Sequence, residues 1–171
     1  ITVPDAEHFP VARDFLSHGI HVLLEKPITD NLADADALID LARERGVVLQ
    51  VGHIERFSSA YLAVSRHIYR PLFVQSDRIS PFDPRGLNTD VVLDLMIHDI
   101  DIIMALADSP VEAVDAVGAP VLSSREDIAN SRIRFANGCI ANVTASRVGQ
   151  KTERRLRVFQ QDGLLVVDFM Q

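Results

Sequence analysis

Hydrophobic residues follow two alternating patterns along the first third of the chain. Within Ala6–His18 and Asn31–Arg45 they return every three or four positions, which is the spacing of an amphipathic helix. The short apolar runs Ile20–Leu24 and Val47–Val51 are typical of parallel strands covered on both faces. A glycine follows each helix, where a C-cap is expected. The order helix, strand, helix, strand predicts an α/β unit with a parallel sheet.

The pattern changes after Gly52, where polar and apolar residues begin to alternate singly. This alternation predicts strands that belong to a largely antiparallel sheet with one face left open. The predicted strands are Leu72–Ile79, Ser131–Phe135, Cys139–Ser146, Arg155–Gln160 and Leu164–Phe169. The turns Ala136-Asn137-Gly138 and Gln161-Asp162-Gly163 fit hairpins between neighbouring strands. We therefore predict α/β followed by α+β, with domains at residues 1–52 and 53–171.

The first domain has the pattern of only the C-terminal portion of a Rossmann-type parallel sheet. Ile1–Pro4 resembles the end of a buried strand and the loop that follows it. The glycine fingerprint Gly-x-Gly-x-x-Gly, which follows the first strand of a dinucleotide-binding sheet, does not occur in the sequence. We expect this fingerprint and the acidic residue that reads the ribose to lie upstream of Ile1.

An apolar segment at Asp90–Asp101 carries polar side chains at a helical spacing. On an α-helix, Asp90, Asp94, His98 and Asp101 form one stripe, and mostly apolar residues fill the other sides. This pattern indicates a buried helix, and buried carboxylates need either a partner or a role in a site. A structural Asp–His pair that joins two layers and a functional site explain the stripe equally well.

Polar residues also follow the two predicted parallel strands. Glu25-Lys26-Pro27 ends the first strand, and His53 and Arg56 follow the second. Ligands of open α/β sheets bind beyond the carboxyl ends of the strands, so these residues are candidates for a site. Arg56 is suited to an anionic substrate group. The structural alternatives are a surface lysine in a turn for Lys26 and an interdomain salt bridge for Arg56.

Composition narrows the class of function. The 171 residues carry 17 basic and 24 acidic side chains, for a net charge of −7, which does not favour nucleic-acid binding. Cys139 is the sole cysteine of the sequence, so no internal disulfide forms and a cytoplasmic location is the simplest prediction. No apolar run approaches the roughly 20 residues that span a bilayer. Among the histidines only His98 has acidic neighbours on its face, so we predict no metal site.

Four motifs in order resemble the Gfo/Idh/MocA oxidoreductases along the whole chain. They are Pro4-Asp5-Ala6-Glu7-His8, Gly19 to Pro27 ending in Glu25-Lys26-Pro27, Gly52-His53-Ile54-Glu55-Arg56-Phe57, and Asp94 to Asp101 with its Asp-x-x-x-His. The runs Val51–Phe57 and Asp90–Asp101 further resemble the branch that contains the UDP-N-acetylglucosamine 3-dehydrogenases. The resemblance implies an N-terminal Rossmann domain followed by a domain whose open sheet packs in oligomers.

The resemblance also implies a reaction and a set of site residues. Hydride would pass from a sugar hydroxyl carbon, most simply the 3-OH carbon of a UDP-N-acetylglucosamine-type nucleotide sugar, to NAD or NADP, with NAD favoured. Lys26, His98 and Asp94 would be catalytic, although the sequence does not decide whether Lys26 or His98 is the final base. Glu25, Lys26 and Pro27 would contact the cofactor, and His53, Arg56 and Asp94 the substrate. The fragment alone is expected to be inactive.

Two alternatives remain open at this stage. One is a family member that acts on inositol or a free sugar, and the other is a non-catalytic relative that only binds ligand. Oligomer formation is predicted from the strands themselves, because their apolar residues outnumber what the few helices can cover. The segments in question are Ile133–Phe135, Ile140–Val143 and Leu164–Val167.

Overall fold

The computed structural model of the chain describes residues 1–84 and 89–170. They form two compact units, Ile1–His53 and the described residues from Ile54 onward. The structural boundary thus leaves His53 in the first unit, whereas the sequence pattern placed it in the second. The first unit has a short parallel sheet and the second a larger, mainly antiparallel sheet, which confirms the predicted fold class.

The first unit alternates helices and strands as the sequence pattern predicts. Strands β1 (Val22–Leu24) and β2 (Leu49–Val51) pair in parallel, with Val22 opposite Leu49. Ile1 extends the sheet beyond β1, because its backbone accepts a hydrogen bond from the amide of Glu25 at 3.1 Å and its amino group donates to Leu23. The elements are a 3₁₀ turn at Asp5–Glu7, α1 at His8–Ser17, β1 at Val22–Leu24, α2 at Leu32–Arg45 and β2 at Leu49–Val51.

Helix α2 shows how local sequence sets these boundaries. The side chain of Asn31 accepts a hydrogen bond from the amide of Asp34 at 2.9 Å and so caps the first turn. Gly46 ends the helix with φ of 64°, a left-handed conformation that glycine adopts without steric cost. Between these caps, Leu38 and Ala42 are buried against the sheet and α1. The apolar stripe and both caps together specify the helix.

The second unit is built on a six-stranded sheet. Its strands are β3 at Phe73–Ile79, β4 at Val111–Ala119, β5 at Ile128–Phe135, β6 at Ile140–Ser146, β7 at Glu153–Gln160 and β8 at Gly163–Asp168. Their order in the sheet is β4-β5-β6-β3-β7-β8, and neighbouring strands are antiparallel, except that β3 runs parallel to β6. Its helices are a 3₁₀ turn at Ile54–Phe57, α3 at Ser59–Ser65, a π-helical segment at Val92–Met96 and α4 at Ile97–Ala107.

Helices cover one face of this sheet. Ile133, Phe135, Val143 and Val167 are buried in a core that also contains Tyr61, Met96, Ile102 and Ile103 from the helices. The sequence pattern predicted that the helices cannot cover every apolar residue of these strands. The helices cover Ile133, Phe135, Val143 and Val167, whereas Leu164 stays 52% exposed. Alternation places the apolar side chains toward the unit's own helices, while mainly polar side chains lie on the opposite, open face.

Candidate functional site

The turn Glu25-Lys26-Pro27 follows directly after β1, at the carboxyl end of the parallel pair. Pro27 is buried, Glu25 and Lys26 are half-buried, and the Lys26–Pro27 peptide bond is cis. Lys26 is thus a turn lysine that is partly exposed, and its role stays a prediction. A lysine at the carboxyl end of a parallel strand is suited to contact a ligand oxygen.

Gly52 leaves room for the carboxylate of Glu25. The amide of Gly52 donates to the carbonyl of Leu24 at 2.7 Å, which continues the pairing of β1 with β2. A Cβ atom built on Gly52 would lie 3.1 Å from Oε2 of Glu25, tighter than ordinary van der Waals contact. The carboxylate thus lies across the ends of both strands, where a dinucleotide-binding sheet receives its cofactor. A contact of Glu25 with a cofactor stays a prediction.

Arg56 lies on the 3₁₀ turn Ile54–Phe57 and pairs with a carboxylate of α4. Its Nε and Nη2 atoms donate to the two carboxylate oxygens of Asp101 in a bidentate arrangement. The hydrogen bond to Asp101 raises the pKa of Arg56, so the guanidinium stays charged. Both partners belong to the second unit, so this pair is not an interdomain salt bridge. A contact of Arg56 with substrate stays a prediction.

His98 is the second residue of α4, and the helix preceding it differs from the predicted one. Val92–Met96 is π-helical, and Asp94 lies within this segment. Asp90 lies before the helix, where its carboxylate accepts the amide hydrogens of Val92 and Leu93 at 2.9 and 3.0 Å. The predicted single α-helical stripe from Asp90 to Asp101 is therefore wrong. Segments of this kind occur frequently at functional sites in helices.

Asp99, next to His98, belongs to a buried ion cluster that sequence reasoning missed. Arg78 on β3 donates from Nε to Asp99 at 2.7 Å and from Nη1 to Glu55 at 3.2 Å. Burial acts to lower the pKa of Arg78, but the carboxylates of Asp99 and Glu55 outweigh it and raise that pKa. The cluster fixes the first turn of α4 to the sheet and to the 3₁₀ turn that carries Arg56.

A second buried ion pair holds the chain where the His98 helix begins. Asp127 accepts hydrogen bonds from the amides of Val121, Leu122 and Ser123, and from Nε of Arg147 at 2.8 Å. Arg147 also donates to the carbonyl of Thr89 at 2.7 Å, directly before Asp90. Burial acts to raise the pKa of Asp127, but these hydrogen bonds outweigh it and hold that pKa well below its usual range.

Further observations on the described part of the chain concern metal sites, membrane-spanning helices and cysteine reactivity. Residues 1–84 and 89–170 contain no group of three or more His, Cys, Asp or Glu side chains arranged to hold a metal. Across the same ranges, the helices are too short or too polar to cross a bilayer. Cys139 is buried, and burial raises the pKa of its thiol, in keeping with a packing role.

The structure brings together only part of the predicted site. Glu25, Lys26, Pro27 and His53 belong to the first unit. Arg56, Asp94 and His98 belong to the second, where the Arg56 turn and the His98 helix are joined through Asp101. The placement of Lys26 beside His98 in one site stays a prediction.

Two protein-family models match the chain. Residues 1–53 match the oxidoreductase family with an NAD-binding Rossmann fold, and residues 50–166 match the GFO/IDH/MocA C-terminal domain. The second match alone covers more than half of the 171 residues.

Individual relatives agree with the family models. The chain is 40% identical to a UDP-N-acetylglucosamine 3-dehydrogenase of Acidithiobacillus ferrooxidans over 99% of this chain and 55% of the relative. A solved structure of that dehydrogenase has a TM-score of 0.93, covering 99% of this chain and 56% of the other. A scyllo-inositol 2-dehydrogenase of Bacillus subtilis is 27% identical over 86% of this chain and 47% of the relative. The chain thus spans about half the length of these curated relatives, and it belongs to the Gfo/Idh/MocA family of oxidoreductases.

Proposed function

We propose that the full-length protein is an NAD(P)-dependent dehydrogenase that oxidises a sugar hydroxyl. The favoured substrate is the 3-OH of a UDP-N-acetylglucosamine-type nucleotide sugar, and the favoured cofactor is NAD. The observation that carries this proposal is the 40% identity, over 99% of this chain, to a UDP-N-acetylglucosamine 3-dehydrogenase. Lys26, Asp94 and His98 are all present in the matched region.

His98 and Lys26 are proposed to act together when the alcohol loses its proton. A bound nicotinamide would supply the hydride acceptor. The imidazole of His98 takes the hydroxyl proton, because a neutral imidazole is a suitable base near neutral pH. The ammonium group of Lys26 donates a hydrogen bond to the reacting oxygen and stabilises its developing negative charge. An exchange of these two roles is the alternative assignment.

The remaining residues are proposed to bind and orient. Glu25 and Pro27 contact the cofactor at the strand end, next to Lys26. Asp94 orients substrate hydroxyls, and His53 and Arg56 hold the sugar or its phosphates. The guanidinium of Arg56 is fixed by Asp101 but remains partly exposed, at 43% of its side chain, so it retains surface for an anionic group.

A second candidate substrate class is supported by a specific similarity. The scyllo-inositol 2-dehydrogenase of Bacillus subtilis matches 86% of this chain. Oxidation of an inositol or a free sugar needs the same base and charge-stabilising group. Only the contacts to the nucleotide would differ, and among the proposed residues Arg56 is the group best suited to make them.

Turnover assays with the full-length protein distinguish these possibilities. We expect NADH to appear at 340 nm with UDP-N-acetylglucosamine, and more slowly or not at all with free sugars and inositols. NADP in place of NAD tests the cofactor assignment. Turnover of inositol or glucose alone would contradict the nucleotide-sugar assignment but not the dehydrogenase. Absence of turnover, together with absence of cofactor binding by calorimetry, would favour a protein that only binds ligand.

Assembly through the sheet belongs to the same proposal. On the open face, Ile140, Phe73, Phe159 and Leu164 lie opposite one another on neighbouring strands and form an apolar row. Leu164 is 52% exposed and Phe159 is 37% exposed. We expect the full-length protein to be a homo-oligomer in light scattering, and Phe159→Glu to reduce its mass by adding charge to this row. A wild-type monomer at micromolar concentration would contradict this expectation.

A further inference from the structure

His8 is a buried histidine to which the proposed reaction assigns no role. It is the first residue of α1, ends the motif Pro4–His8, and is 1% exposed. Its Nδ1 atom lies 2.7 Å from the carbonyl oxygen of Pro27, and its Nε2 atom lies 3.1 Å from the carbonyl oxygen of Val3. The ring therefore touches the turn that contains Lys26.

These two contacts indicate which ring nitrogen of His8 carries the hydrogen. A carbonyl oxygen only accepts hydrogen bonds, so a ring nitrogen bonds to it only when that nitrogen carries a hydrogen. A neutral imidazole carries one N–H, and the shorter contact assigns that hydrogen to Nδ1 and the carbonyl of Pro27. The cation donates from both nitrogens and also satisfies Val3. In either form the bond to Pro27 is made.

The residues on both sides of Lys26 are held in place. On one side, the amide of Glu25 donates to the carbonyl of Ile1, and the carboxylate of Glu25 packs against Gly52. On the other side, the carbonyl of Pro27 accepts from His8. The backbone is thus anchored on both sides of Lys26.

His8 also connects two neighbouring loops of the parallel sheet. Val3 follows the Ile1 segment that borders β1, and Pro27 follows β1 itself. Loops at the carboxyl ends of neighbouring parallel strands form the ligand-binding edge of an open α/β sheet. A buried ring that bonds both loops holds them at a fixed separation.

We propose that His8 is a positioning residue for Lys26, acting through its Nδ1 hydrogen bond to the carbonyl of Pro27. The inference rests on the proposed role of Lys26 at the reacting oxygen. Productive geometry in a site tolerates only about 0.5 Å of displacement, so loss of the anchor at Pro27 lowers kcat more than it changes KM for the sugar.

Four substitutions in the full-length protein test which nitrogen matters. His8→Ala removes both contacts, and His8→Phe keeps the ring volume without a donor. The amide nitrogen of asparagine replaces Nδ1, and that of glutamine replaces Nε2. We expect kcat to fall by about 10–100-fold in His8→Ala and His8→Phe, because a misplacement of 1 Å can cost about 10²-fold. We expect His8→Asn to recover most of that loss and His8→Gln to recover little.

Hydrogen exchange provides a measurement that does not depend on turnover. In the peptide that spans residues 25–31, amide exchange should be faster in His8→Phe than in the wild type, and slow again in His8→Asn. If the wild type turns over none of the sugars, the proposed function fails, and this exchange pattern still decides the role of His8.

Several results would overturn the inference. Wild-type kcat and wild-type exchange in His8→Phe would show that the hydrogen bond does not position the turn. Recovery by His8→Gln but not by His8→Asn would assign the effect to Val3 instead. Equal losses in both amide variants would indicate a general packing role. If His8→Ala and His8→Phe do not fold, the comparison of asparagine with glutamine decides.

Discussion

Replacement of His98 by alanine in the full-length protein is expected to lower kcat by about 10²–10⁴-fold, the usual contribution of a general acid–base group. The substrate still binds, because the imidazole contributes mainly when the proton leaves, so KM should change much less than kcat. The measurement is the initial rate of NADH formation at saturating UDP-N-acetylglucosamine, or at saturating concentration of whichever substrate the panel identifies.

Replacement of Lys26 by alanine is expected to reduce kcat at least as strongly. The ammonium group is proposed to stabilise negative charge on the reacting oxygen, and such stabilisation is worth about 10²–10³-fold or more in a site that excludes water. Lys26→Arg keeps the charge but changes its geometry, so it should recover only part of the rate.

Exposed residues of the same types provide the controls. His18→Ala removes a histidine that is 70% exposed, and Lys151→Ala removes an exposed lysine. Both variants should keep wild-type kcat. If His98→Ala retains more than about a tenth of the wild-type rate, the assignment of a base to this helix is wrong, because the loss would fall below the range for such groups.

The sequence predicted the first unit well because its signals are local. The apolar spacing of α2 and the glycine that ends it were predicted, and the structure confirms both. The sequence left the N-cap open between Asp30 and Asn31, and the structure places it at Asn31. The turn that contains Lys26 was also predicted, since a strand and a proline adjoin it in the sequence. Such features need no knowledge of distant contacts.

The second unit was less predictable because its polar partners are far apart in the sequence. Asp99 and Arg78 are separated by 21 positions, and neither position indicates the other as its partner. The alternation in β5 and β6 predicted strands correctly, but it did not show that helices cover Ile133 and Val143. Which face of a sheet is covered depends on helices elsewhere in the chain.

The π-helical segment before His98 illustrates a different limit. The spacing of Asp90, Asp94 and His98 fits an ideal α-helix, and periodicity alone does not distinguish a residue that caps a helix from one inside it. Asp90 uses its carboxylate on the amides of Val92 and Leu93, as aspartate does at helix starts. The residue type of Asp90 is enough to suggest a helix cap, whereas nothing in the spacing indicates the π-helical segment.

Replacement of Arg78 by methionine is expected to lower the free energy of unfolding of the full-length protein by about 3–5 kcal/mol. Arg78 is 2% exposed and pairs with Asp99 and Glu55, so its loss leaves buried carboxylates without their cation. Arg154 lies 3.9 Å from Glu55 and compensates only that carboxylate in part. The measurement is urea unfolding followed by circular dichroism at neutral pH.

An ion pair on the open face of the same sheet serves as a control for the effect of burial on the cost of losing an arginine. Arg157 donates to Asp77 at 2.8 Å, but both side chains are partly exposed, so Arg157→Met should cost about 1 kcal/mol or less. Adding Asp99→Asn to Arg78→Met should restore part of the stability, because one uncompensated carboxylate is removed. Equal costs for Arg78→Met and Arg157→Met would show that the Arg78 cluster does not fix the His98 helix through buried charge.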